Sequence, residues 1–419
     1  MRISRSLAVG ASCALGLSLA LGATPASADP GAQPGDVVGV GSDTVQNIMD
    51  FVADGTPVLT GFTGAAPGFN AAATKNRVFN YSATADQNDR AVYGPGSAIG
   101  SASLATTVIL RAGTNPVRRP NGSGQGLDAL ALQTAATTGF PINYARSSSL
   151  SAFNGSTNRA ATSNTNGTGG IHAVRIATDD LVLATANTTN AVVITGDQLV
   201  AIYNCTLTDW GVAAGGSASG QTIKPLIPQS GSGTRNTFIA DLGIIGGATY
   251  DPTGKTCLTT VEENDPAGIT TLSATDAPNA IDPFSSGRLD LFNEGYFKTP
   301  AFPAGATVNP GIKLLYGTQT PDACSAVAAH QTTQYCDTRG LYVGWLAQDD
   351  TSTTPFAVGG SKNYVQTLFA NTNGSTGTPY VNSNPGKALI SRGGVTPAYS
   401  DCGISTGGSF SNSGNAGCS

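Results

Sequence analysis

The chain has 419 residues, a formal net charge of −5 and only 11% charged side chains. No basic block is present that could neutralise a row of phosphates, which sets nucleic acid aside as a partner. Two histidines and no CxxC pair leave little from which to build a zinc site, and no cofactor is expected.

The first residues read as an export signal. Arg2 and Arg5 form a basic region, Leu7 to Leu21 an apolar run, and Ala26-Ser27-Ala28 a small-residue cleavage site. Cys13 lies inside the apolar run, a setting that does not suit lipidation. The expectation is a signal peptide over residues 1–28, cleaved after about Ala28, and a secreted or envelope-exterior protein. The remainder is long enough for two lobes with their own cores. Its cysteines, Cys205, Cys257, Cys324, Cys336, Cys402 and Cys418, are even in number, which in an exported chain points to disulfides. Pairing between neighbours, 205–257, 324–336 and 402–418, is expected among the several connectivities possible.

Strand-like and helix-like patterns then alternate, which predicts α/β layers. Val37–Val40 reads as a buried strand, followed by the turn Gly41-Ser42-Asp43-Thr44 and a helix with Val45, Ile48, Met49 and Val52 on one face. Further strands are expected at Val78–Ser82, Thr106–Arg111, Ile142–Ala145, Asp180–Ala186 and Leu341–Trp345. Helices are expected at Gly126–Ala136, Asp197–Tyr203, Thr234–Leu242 and Asn363–Ala370. Residues 154–170 and the tail after Gly403 are rich in Ser, Asn and Gly and read as loop or disordered.

Four segments place glycine and small hydroxyl residues where a strand ends or a helix begins: Gly41–Thr44, Asn121–Gly126, Ala145–Ser149 and Ser230–Arg235. Helix N-termini attract anions, glycine lets a ligand approach the backbone, and hydroxyls add neutral donors. Several converging could hold a tetrahedral oxyanion without a large positive charge. Each alone is more simply an N-cap. Adjacent carboxylates at Glu262-Glu263 and Asp179-Asp180 could serve as acid/base groups of a glycosidase, but such pairs usually face water, and that is the expectation here.

These segments, in this order, resemble the phosphate-binding proteins of ABC importers, within the type II periplasmic-binding-protein superfamily. The resemblance rests on SGSGTRNTFIADLG (Ser230–Gly243), LVAIYNCTLTDWG (Leu199–Gly211), GVGSDTVQNIM (Gly39–Met49), NGSGQGLDAL and INYARSSS, and covers roughly residues 36–290. It implies a two-lobed α/β fold with a ligand cleft between the lobes: lobe 1 from 29–175, completed by about 330–419, and lobe 2 from 176–329. It also implies ligand donors at Ser42, Thr44, Ser123, Ser147 or Ser148, Ser232, Gly233 and Thr234. Two departures stand out. The family's arginine shortly before Ser-Gly-Thr is Pro228 here. Its aspartate acceptor corresponds to Ser147, after a small residue replaced by Arg146. Arg146 could restore the charge and Asp43 the acceptor; alternatively, Asp43 caps its helix and Arg146 sits in a surface ion pair.

The expected partners are inorganic phosphate or a similar oxyanion and the membrane subunits of an importer, with the chain itself a monomer. An enzyme is the weaker reading. Ser232 lacks the glycine two residues upstream that a nucleophile elbow needs, neither His172 nor His330 lies in a motif, and no P-loop lysine follows the glycines. A surface protein that kept the fold and lost the anion is the stronger alternative, with a hydrolase a minor one.

Overall fold

The computed structural model describes residues 31–419, except 57–65, 73–75, 84–106, 116, 134–140, 155–158, 160–168, 294–311, 316–323, 325–333, 357–359, 407–408, 416 and 419. The expected signal peptide, Cys13, His330 and most of the stretch 154–170 lie outside the described residues. Every element below belongs to one unit, Ala32–Ser419.

Among the described residues ten strands make one mixed sheet: β1 (Val37–Gly41), β2 (Val78–Asn80), β3 (Tyr144–Ser147), β4 (Ile171–Ala186), β5 (Lys224–Pro228), β6 (Thr259–Val261), β7 (Ala280–Ser285), β8 (Ile312–Leu314), β9 (Asp337–Leu346) and β10 (Thr396–Ile404). Their order is β6-β5-β7-β4-β9-β3-β1-β2, with β8 and β10 also paired to β4. One half is parallel around β1, which lies between β2 and β3. The other is parallel around β5, between β6 and β7. Between them run β4 and β9, antiparallel to each other from Asp337↔Leu181 to Leu346↔Ile171. β4 has 16 residues, roughly 50 Å of extended chain at the usual rise. It reaches from the β3 side, through β9, to β7, where Asp282 lies opposite Ala184.

β1 is buried along its whole length, VVGVG, as a strand covered on both faces requires. Val37 packs with one core and Val38 and Val40 with another, so the strand's alternation feeds two layers. Seven helices matter here: α1 (Asp43–Asp54), α2 (Ser123–Leu132), α3 (Gly196–Tyr203), α4 (Gly233–Gly246), α5 (Ser286–Asn293), α6 (Tyr364–Leu368) and α7 (Asn384–Ser391). α1 buries Val45, Ile48, Phe51 and Val52 in the larger core, and α2 buries Leu127 and Leu130 in the second. α3 and α4 share a third with Trp210 and Ile281. Each such side chain contributes roughly 1.5–3 kcal/mol.

The chain is thus the mixed α/β protein that its patterning implied. The expected strands at 37–40, 78–82, 142–145, 180–186 and 341–345 lie on β1, β2, β3, β4 and β9, and the helices at 197–203 and 234–242 on α3 and α4. β5 and β7 were not expected. Pro225, Pro228 and Pro283 interrupt their apolar runs, and proline argues against a strand because it lacks a donor. The cysteines pair as neighbours: Cys205–Cys257, Cys324–Cys336 and Cys402–Cys418.

A clamp fixes the start of β4. His172 lies between Asp350 (Nδ1 to Oδ2, 2.8 Å) and Asp401 of β10 (Nε2 to Oδ1, 2.8 Å), and its ring stacks on Trp345 of β9. Burial pulls its pKa down, but the hydrogen bonds and charges of the two aspartates outweigh that and raise it to about 9.

Candidate functional site

The parallel strands of the two halves end facing a common place, the usual location for a ligand crevice in a parallel α/β sheet. β1 hands the chain to α1 at Ser42, β3 ends at Ser147, and β5 leads through residues 229–232 into α4. α2 brings its N-terminus from the side. Its Gly124 N–H donates to the Gly231 carbonyl at 3.0 Å, so the two halves touch there. Gly122 is needed at this contact: its φ is +103°, and a Cβ would come within 2.7 Å of the Gly231 oxygen. Gly233 lies so close to the Ser123 and Ser148 hydroxyls that any side chain would displace them.

Ser42, Thr44, Ser123, Ser148, Ser232 and Thr234 are all buried here. The hydroxyl of Ser42 donates to Ser148 Oγ (3.3 Å). Ser148 Oγ lies 3.4 Å from Ser123 Oγ, which accepts the Ser148 N–H at 3.0 Å. Thr44 Oγ1 is 3.4 Å from Thr234 Oγ1. The N-cap reading separates the segments. Ser232 caps α4, accepting from Arg235 N–H at 3.0 Å. Ser42, at the N-cap of α1, makes no side-chain cap bond, and α2 starts at Gly122, which has no side chain to cap with.

Glu263, which follows β6, projects into the middle of this cluster. Its Oε1 accepts from Thr234 Oγ1 (2.6 Å), Thr234 N–H (3.1 Å), Thr44 Oγ1 (3.1 Å) and Ser148 Oγ (3.4 Å). Of the residues expected to donate to an anion, Thr44, Ser148 and Thr234 therefore converge on one carboxylate oxygen, supplied by the chain itself, while Ser42 and Ser123 bond Ser148, and Ser232 caps α4. Glu262 is held alongside by Asn121 Nδ2 (3.2 Å) and Gln229 Nε2 (3.1 Å). Both glutamates are buried, at 1% and 0% exposure. The expectation that they face water is corrected: a buried carboxylate is tolerable where donors surround it. The same correction applies to Asp179, whose side chain is fully buried in a pair with Arg339 (2.9 Å).

Arg339 of β9 was not anticipated. Nε and Nη2 grip Asp179, and Nη1 donates to Thr234 Oγ1 at 2.7 Å. A cation thus stands one hydroxyl away from Glu263. It arrives from a strand 105 positions beyond Thr234, a separation no local motif reports.

Arg146, by contrast, is not a free cation. It is fully buried, so the surface ion pair is ruled out. Its Nε donates to Ser42 O (3.3 Å), Nη1 to Gly39 O (3.5 Å) and Asn80 Oδ1 (3.3 Å), and Nη2 to Gly41 O (3.0 Å) and Tyr81 O (2.7 Å). Those bonds use all five guanidinium N–H groups, so Arg146 braces the end of β1 and is not carried forward as a ligand. Asp43 forms a buried ion pair with Arg288 of α5 (3.2 Å) and accepts from Asn264 Nδ2 at 3.5 Å. The Ser147 hydroxyl turns onto its own backbone, donating to Ser149 O at 2.8 Å, which leaves Ser148 as the third segment's contribution. Among the described residues no group of three or more His, Cys, Asp or Glu side chains could hold a metal ion, and no helix is long and apolar enough to cross a membrane.

Residues 97–319 match the model of the PBP superfamily domain. The chain belongs to that superfamily. The match covers β3 to β8, with Glu263 and the Ser-Gly-Thr start of α4. Similar solved structures include an ABC-type phosphate transport receptor from Vibrio cholerae, at 16% identity over 86% of this chain and 99% of that one, with a TM-score of 0.45. A putative phosphate ABC transporter substrate-binding protein with bound phosphate from Clostridium perfringens shows 12% identity over 87% and 99%, also with a TM-score of 0.45. An ancestral soluble variant of the human phosphate-binding protein shows 16% identity over 86% and 90%, with a TM-score of 0.44. No curated protein matches the chain.

Proposed function

We propose that the protein is an exported solute-binding protein that captures phosphate or a related tetrahedral oxyanion, without catalysis, and delivers it to an ABC-type importer or holds it outside the cell. One observation carries the reading: four donors from three separated segments converge on a single buried anionic oxygen. Neutral hydroxyls and helix-start N–H groups bind anions of this kind well once water is excluded. Ser42, Thr44, Ser123, Ser148, Ser232, Gly233 and Thr234 form the seat, and Arg339 supplies the nearby positive charge. Residues 29–175 with 330–419 make one lobe and 176–329 the other, with hinge motion admitting the ligand. The three cysteine pairs fit an oxidising compartment outside the membrane.

A second reading draws on the same carboxylate. If Glu263 holds the seat permanently, the protein is a surface module that kept the fold and closed it on itself. Equilibrium dialysis of the chain against labelled phosphate separates the two, with sulfate, arsenate, molybdate and a neutral sugar as competitors. Saturable phosphate binding, displaced by arsenate and untouched by the sugar, is expected. No retention of any oxyanion would establish the self-closed module.

A further inference from the structure

We infer that Glu263 is a built-in competitor that sets which anions the seat accepts; the inference rests on the reading of the site as an oxyanion seat. The geometry leaves room for one occupant. Glu263 Oε1 stands 2.6 Å from Thr234 Oγ1 and 3.1 Å from both Thr234 N and Thr44 Oγ1. An oxyanion using those donors must place an oxygen at the same point. Two anions side by side in a dry site also repel each other strongly. Binding is therefore an exchange in which the tethered carboxylate leaves as the oxyanion enters.

The tether suits such an exchange. Glu263 lies between β6 and the short helix Ala267–Thr270, and its backbone N–H is held by one side-chain acceptor, Gln229 Oε1 at 2.7 Å. The next residue, Asn264, takes the left-handed conformation with φ +53° and pins the segment through Nδ2 to Thr44 Oγ1 (2.9 Å) and Oδ1 from Ser285 N–H (2.8 Å). Glu262 ties the segment further, through Asn121 Nδ2, Gln229 Nε2 and the Asp265 N–H, so it is the Glu263 side chain that has to swing away from Thr234 and Thr44.

A competitor on the chain acts as a selectivity filter. A singly charged carboxylate such as acetate offers the donors only what Glu263 already gives them, and must do so without the advantage of a tether. A doubly charged tetrahedral oxyanion presents further oxygens to Ser42, Ser123 and the start of α4, and gains where acetate does not. The apparent affinity is the intrinsic affinity reduced by the fraction of molecules whose seat is open.

The test measures the dissociation constants of inorganic phosphate, sulfate and acetate by titration calorimetry for the wild-type chain, Glu263→Ala and Glu263→Gln. Circular dichroism confirms that each variant is folded. Expected is phosphate binding about tenfold or more tighter in Glu263→Ala, as for a seat filled at least nine-tenths of the time, with a smaller gain in Glu263→Gln and acetate binding measurable only in the variants. Hydrogen exchange on the wild-type chain gives an independent readout: phosphate should speed exchange over 259–270 while slowing it over 230–246. A wild-type protein silent to phosphate beside a responding Glu263→Ala would overturn the exchange in favour of a seat that Glu263 closes permanently. Wild-type binding with equal or weaker binding in both variants overturns it and leaves the oxyanion seat standing. Silence of all three chains toward every anion overturns the seat itself.

Discussion

Helix starts outside the Glu263 cluster and helix starts within it carry the same kinds of residue but use them differently. At α3, Thr195 accepts from Gln198 N–H while the Gln198 side chain returns to the Thr195 N–H, a complete capping box. At α6, Asn363 and Gln366 do the same. At α1, Ser42 makes no cap bond, and its hydroxyl points across to Ser148, a residue 106 positions away. At α4 the two uses coexist: Ser232 caps, while the Thr234 N–H and hydroxyl face Glu263. A helix that caps itself has committed its first donors; one that does not keeps them for whatever anion is placed there. Ser, Thr and Asn before a helix look the same in sequence in either case.

The largest expected effect comes from removing the cation behind the seat. Arg339→Ala leaves Asp179 buried without its bidentate partner, which costs about 3–5 kcal/mol in such settings, read as the midpoint shift in urea unfolding. Arg339→Lys should recover little of it, because an ammonium cannot grip Asp179 through two nitrogens while also reaching Thr234.

The next effect belongs to the His172 clamp, whose central group is fixed by paired charges and has no competitor. Its raised pKa means that the folded state holds the proton more tightly than the unfolded chain does. The stabilisation is fully present below pH about 6.5 and is lost as pH climbs through about 9. It amounts to a few kcal/mol, because each tenfold gain in proton affinity on folding is worth about 1.4 kcal/mol. Stability measured from pH 6 to 10 should fall across that window in the wild-type chain, and the fall should flatten in His172→Gln.

Thr234→Val removes one donor to Glu263 and the acceptor of Arg339 Nη1. A loss of about 1–3 kcal/mol is expected from the stranded partners, seen in the same urea series. Smallest, and sharpest for the comparison, is the pair Thr195→Ala and Ser42→Ala. Thr195→Ala should lower stability by about 1 kcal/mol, the usual worth of a cap, and leave phosphate binding unchanged. Ser42→Ala should cost the fold less than that and weaken phosphate binding. A reversal of the two would erase the distinction between capped and uncapped helix starts.

What could be read in advance followed from local physics. α1 and α4 carry apolar residues at helical spacing behind a glycine-hydroxyl turn, and β1 is a short apolar run bounded by glycine, so both the elements and the hydroxyls that gather around Glu263 were visible. The acceptor side was not. Glu262-Glu263 looks like any solvated acidic pair, and only the three-dimensional return of β6 beside β5 buries it. Arg339 and Asp179 come from the two long central strands and meet Thr234 through tertiary structure alone. Arg146 misled for a related reason: its position in sequence suggested a ligand, but five acceptors at the ends of β1 and β2 already claim its N–H groups.

The most direct test of the anion seat is thermal unfolding of the wild-type chain and Thr234→Val, each with and without phosphate, against a neutral sugar control. A ligand at about a hundred times its dissociation constant stabilises the folded state by about 2.7 kcal/mol, so phosphate should raise the wild-type midpoint clearly, the variant's midpoint far less, and the sugar neither. Equal phosphate shifts in the two chains would contradict the seat described here.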